Sequence, residues 1–192
     1  ANLKLFCLSP TSCPSNLMNL KFLFLLIVPS ILYAQFASER TREAILTAQD
    51  LRDAKALTAF LSDKKPEVRS LAAFACASVQ ETSHTILLLG LLSDKNADVR
   101  TAAALALGQL ANVIDSSQRV RISRSLLKRL GFERHRTALV RIVEALGKLG
   151  DEYSLNVMVA SGENFPTSSL KCEAALAVGR YAYRGIKGIA AT

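Results

Sequence analysis

With 192 residues, 50% of them hydrophobic, and no Trp, the chain suits one domain or a short repeat array whose core is filled by Leu, Ala, Val and Ile. A net charge of +8 permits attraction to anionic surfaces without requiring it. The four cysteines contain no Cys-x-x-Cys pair and no metal-ligand spacing, which argues against a disulfide scaffold or a structural metal.

The N-terminal stretch reads as an address. Asn19-Leu20-Lys21 is a short positive region after Met18, residues 22–32 are apolar, and Leu32-Tyr33-Ala34 ends on a small residue. This is the layout of a secretory signal peptide over residues 18–34, cleaved after Ala34, with Ala37 the second choice. Pro29 breaks the run, which is short for a permanent span. The protein is therefore expected to be exported, to the periplasm or out of a bacterial cell, and to touch membrane only through this segment before cleavage. Residues 1–17 precede Met18 and read as an upstream segment outside the mature chain.

Residues 35–52 predict a capping helix, and residues 53–185 a repeated helix–turn–helix array. The best-formed unit is residues 91–110, LLSDKNADVRTAAALALGQL, and residues 60–79 say nearly the same thing, FLSDKKPEVRSLAAFACASV. Ala75-Cys76-Ala77 aligns with Ala106-Leu107-Gly108, Ala145-Leu146-Gly147 and Ala177-Val178-Gly179, at offsets of 31, 39 and 32 residues. Ala72, Ala103, Ile142 and Ala174 share one position of that register, and Val79, Leu110, Leu149 and Tyr181 another. Positions three, four and seven residues apart lie on one helix face. First helices are expected near 53–61, 83–92, 117–130 and 151–160, with the extra residues of the third unit in loops around 112–118 and 131–135. Pro66 stands where a second helix would begin. Residues 186–192 open a further helix. The fold class is all-α, an α-solenoid of about four such units.

The run Asp98-Val99-Arg100, then Ala103-Ala104 and Ala106-Leu107-Gly108, resembles a HEAT repeat, and the short period is similar to the bacterial HEAT-like repeats of phycobilisome lyases. The resemblance covers residues 40–185. It implies a ladder between successive units in which Asp63, Asp94, Arg69 and Arg100 take part. Leu139 replaces the recurring arginine in the third unit, and Lys171 takes its place in the fourth. The resemblance also implies that the second helices line the concave side, where partners dock.

No catalytic grouping emerges. His84 and His135 are isolated and read as surface or turn residues, and Gly147-Lys148-Leu149-Gly150 lacks the spacing of a phosphate loop. The chain is expected to be no enzyme and to need no cofactor or metal. The register leaves Leu71, Phe74 and Ser78 off the core in the first unit, Ala102, Leu105 and Gln109 in the second, Arg141, Glu144 and Lys148 in the third, and Glu173, Leu176 and Arg180 in the fourth. From these, Phe74, Leu105, Arg141, Glu144, Lys148, Leu176 and Arg180 form the expected partner-binding row. An exposed apolar row marks a protein-binding surface. A basic cluster, Arg119, Arg121, Arg124, Lys128, Arg129, Arg134, Arg136 and Arg141 with Glu133 the only acid among them, could instead meet nucleic-acid phosphates. The missing aromatic interleaving and the export signal argue against that use. The reading is thus a scaffold for a protein partner, with a phycobilisome-lyase-like enzyme or chaperone and a nucleic-acid binder as alternatives.

Overall fold

The computed structural model describes residues 38–161, 165 and 167–183, so the expected signal segment, the upstream residues and the segment at 186–192 lie outside the described residues. The array lies within the compact unit Thr41–Thr192. Its described residues are α-helical with short 3-10 turns. Helix α1 runs through residues 38–50. It is followed by α2 (Ala54–Leu61), α3 (Pro66–Val79), α4 (Thr85–Leu91), α5 (Ala97–Gln109), α6 (Ser116–Phe132), α7 (Arg136–Leu149), α8 (Glu152–Ser161) and α9 (Ser168–Tyr183). Each even-numbered helix packs on the odd-numbered helix after it, and α3, α5, α7 and α9 stack in sequence. That is an α-solenoid of helix pairs.

Local chemistry sets the helix ends. Pro66 opens α3 at the one place in a helix where its missing N–H costs nothing, with Glu67 in the first turn at the positive end of the helix dipole. The Asn96 side chain accepts the Asp98 and Val99 amides and starts α5. Asp115 and Gln118 cap α6 reciprocally. Gly150 ends α7 with φ 66°, the left-handed geometry that glycine adopts without strain. Arg52 Nη2 donates to the Val79 carbonyl at 2.8 Å, satisfying one of the orphan acceptors at the end of α3.

The register holds in the packing. Ala72, Ala103, Ile142 and Ala174 are buried, as are Ala75, Ala106, Ala145 and Ala177. The first helices contribute Leu57, Leu88, Leu126 and Leu155, each at most 1% exposed. Such a leucine stabilises by about 1.5–3 kcal/mol relative to leaving it in water. Ile45 and Ala48 of α1 join the same core. Tyr181 is fully buried, and its hydroxyl donates to the Leu146 carbonyl at 2.9 Å, tying α9 to α7.

Small residues set the spacing between second helices. A Cβ built on Gly108 would lie 2.9 Å from Ala145 Cα, and one on Gly147 would lie 2.7 Å from Ala177 Cα. Glycine is needed there because the neighbouring backbone occupies the volume of a methyl group. Gly179 holds the same register position on α9 and has open space around it among the described residues.

Two expectations need correction. The extra residues of the third unit are not loop. They lengthen the first helix, so α6 has 17 residues where α2 has 8 and α4 has 7. The connection between α6 and α7 is only residues 133–135. His84 lies in a 3-10 turn, Thr82–His84, which fits the turn reading, but it is not on the surface. It is 1% exposed, and its Nε2 lies 2.7 Å from the Ala54 carbonyl, so it bridges the first helices of adjacent units.

Candidate interaction face and ion ladder

The residues expected to bind a partner lie on successive second helices. Phe74 on α3 and Leu176 on α9 are 53% and 58% exposed. Leu105 on α5, between them in the stack, is half-buried and packs against the core, as does Leu71. Ala102 is buried and belongs to the core. The apolar row is therefore less exposed at α5 than at α3 and α9.

On α7 the row turns polar. Glu144 accepts from Arg141 Nη1 at 2.5 Å and from Lys148 Nζ at 2.6 Å, one oxygen to each cation. Burial pushes the Glu144 carboxyl up, but these two bonds and the charges behind them hold it below its ordinary range. On α9, Arg180 Nη1 donates to Glu173 Oε1 at 2.8 Å. A Cβ on Gly147 would meet Arg180 Nη1 at 3.3 Å, and one on Gly108 would meet Lys148 Cδ at 3.7 Å. The long side chains of the row thus lie back over the glycine of the preceding unit, covering the closest helix contacts.

Beside the helix starts runs a ladder of ion pairs. Arg69 grips Asp94 with Nε and Nη2 at 2.8 and 3.0 Å. Its Nη1 donates to the Asp63 and Lys64 carbonyls of its own turn. Arg100 repeats the arrangement one unit on, with Nη1 on the Asp94 and Lys95 carbonyls. Its Nε and Nη2 bind Glu133 at 2.7 and 2.8 Å. Asp63, Asp94 and Glu133 each accept the amide two residues ahead, at 2.7, 2.8 and 2.8 Å. Each carboxylate orders its own turn, and at Asp94 and Glu133 an arginine also clamps that turn to the unit before.

Glu133 is the most enclosed member, its side chain 1% exposed. It also accepts from Arg129 Nε at 3.0 Å and from the Arg134 amide at 2.9 Å. Burial alone would push this carboxyl up. Bonds from Arg100, from the His135 and Arg134 amides and from Arg129 outweigh it and hold the group far below the usual carboxylate range. Among the described residues no further rung follows. The next arginine position is Leu139 and the next acid position is Phe165, and both pack as apolar groups against the core.

The family model for HEAT repeats matches residues 54–121. Over that span the chain is similar to HEAT repeats. No curated protein matches the chain. The HEAT match covers α2 to α5 and enters α6, and the α6/α7 and α8/α9 pairs continue the same stack. HEAT repeats generally mediate protein interactions, and the fold is typically a scaffold without catalysis of its own.

Glu133 escapes a reading of the HEAT units that looks for aspartate in a Ser-Asp-Lys turn. The signal is nonetheless present, since Glu133 lies 39 residues after Asp94, the offset of the second helices. It also splits the basic cluster. Arg129 and Arg134 bind Glu133, and Arg141 binds Glu144. Arg121, Arg124 and Lys128 remain outward on α6, and Arg136 is exposed at the start of α7. The eight cations do not act as one patch.

Proposed function

We propose that this protein is an exported, non-catalytic HEAT-repeat scaffold that holds a protein partner along the second-helix face. The observation that carries this reading is the pair Phe74 and Leu176, large apolar side chains more than half exposed at the same register position on α3 and α9. Between them lie Leu105 and the ion-paired Arg141, Glu144 and Lys148, a surface with an apolar beginning and a charged middle. Exposed anchors of this kind dominate protein interfaces when they become buried. The acids of the face, Glu144 and Glu173, already hold cations, which supports a docking surface over a reaction centre.

Replacing Phe74 and Leu176 together with Ser should weaken binding of a partner isolated with the native protein by at least about tenfold. Helicity should be unchanged, because both side chains are exposed. Unchanged affinity with unchanged helicity would contradict the proposal. For the exported part of the reading, N-terminal sequencing of the protein from its native cell should find Gln35 first. A chain that retains Met18 would contradict export by a cleaved signal.

A further inference from the structure

We infer that the groove between α6 and α8 binds an acidic peptide segment through its carboxylates and an apolar side chain. The groove has a volume of about 440 Å³ and is lined by Arg124, Leu127 and Lys128 of α6 and by Tyr153 and Val157 of α8. Arg124 and Lys128 are four residues apart, so they stand on one face of α6, and Arg121 precedes them on the same face. Leu127 and Val157 are half-buried and form the apolar floor, while Tyr153 is 65% exposed.

The cations of the array divide into those that hold a carboxylate and those that hold none among the described residues, and Arg124 and Lys128, which line this groove, belong to the second kind. Arg69, Arg100, Arg129, Arg141, Lys148 and Arg180 all hold carboxylates. Arg121, Arg124 and Lys128 hold none among the described residues. Glu152, exposed beside Tyr153, forms no ion pair with them there and offsets their charge only in part. Positive potential over an apolar floor is complementary to an acidic segment with a leucine-like anchor. The wall is carried by α6, the longest first helix among the described residues, with 17 residues where α2 has 8 and α4 has 7. The cationic row from Arg121 to Lys128 covers only about 10 Å at 1.5 Å per residue. That is short for a nucleic-acid backbone and sufficient for a few peptide carboxylates.

Fluorescence anisotropy on the full chain would test this with a fluorescein-labelled peptide of Asp and Glu flanking central Leu residues. It should bind in low salt and weaken as salt is raised. A matched peptide of Asn and Gln should bind at least about tenfold more weakly. The double variant Arg124→Glu/Lys128→Glu, and separately Val157→Asp, should each cost at least about tenfold, with helicity retained. Arg136→Glu, an exposed charge reversal outside the groove, should change affinity by less than about twofold. The Phe74→Ser/Leu176→Ser variant should bind the peptide normally, so this groove and the second-helix face succeed or fail separately. Absent binding, equal binding of the amide peptide, or equal loss with Arg136→Glu would overturn the inference. So would tighter binding of a single-stranded oligonucleotide that ignores Val157→Asp.

Discussion

Replacing Glu133 with Ala should destabilise the folded chain by about 3–5 kcal/mol, the range for removing one partner of a buried ion pair. The substitution strands the Arg100 guanidinium, whose side chain is 11% exposed, and frees the Arg134 and His135 amides that order the turn before α7. Chemical denaturation would show it as a lower midpoint, and the exposed control Glu43→Ala should move the midpoint little. Glu133→Gln should fall between the two, since an amide keeps the shape but offers one acceptor and no charge. The same residue predicts a pH dependence. Its folded carboxyl is held below the unfolded one, so its contribution is complete above the unfolded value of about 4.3 and drains away as pH falls towards the depressed folded value. Asp94 and Glu144, also lowered, act in the same direction. Acid unfolding of Glu133→Gln should accordingly be less steep below about pH 5 than that of the parent chain. A Glu133→Ala variant as stable as the control would show that the rung contributes nothing.

The second large effect concerns the spacing of the stack. Gly147→Ala should cost about 2–3 kcal/mol, because the new methyl group meets the Ala177 backbone and α7 and α9 must separate. Gly108→Ala should cost somewhat less, its contact with Ala145 being slightly longer. Gly179→Ala should be neutral or stabilise by up to about 1 kcal/mol, since alanine is the better helix former and nothing stands nearby among the described residues. Thermal unfolding of the three single variants provides the comparison. Equal effects at all three positions would show that helix propensity, not close approach, decides the outcome.

These cases also show what could be read from the chain alone. The stack was legible because one register, repeated at Ala75, Ala106, Ala145 and Ala177, forces the same small residue to the same contact. The Arg69–Asp94 rung followed from the resemblance. The Arg100–Glu133 rung did not, because its acid is a glutamate that reaches its place from the end of a lengthened α6. Two turns of added helix and eight residues of added loop look alike in an alignment of second helices, and only packing separates them. His84 looked isolated in sequence, yet its partner is a backbone carbonyl on another helix, which leaves no trace in residue spacing. Leu105 illustrates the limit of the face itself. Periodicity places it with Phe74 and Leu176, while in the fold it is half-buried against the core, a difference that residue spacing does not carry. The α6–α8 groove was not legible at all, because its two walls come from helices whose facing sides are fixed by tertiary contact.

The most direct test of the scaffold reading is site-specific photo-crosslinking in the native cell. A photoreactive residue placed at Phe74 or Leu176 should give one shared covalent adduct with a partner protein, and the same residue at Ile86, 69% exposed on first helix α4, should give none. Adducts at Ile86 with none at Phe74 and Leu176 would contradict the assignment of the second-helix face as the docking surface.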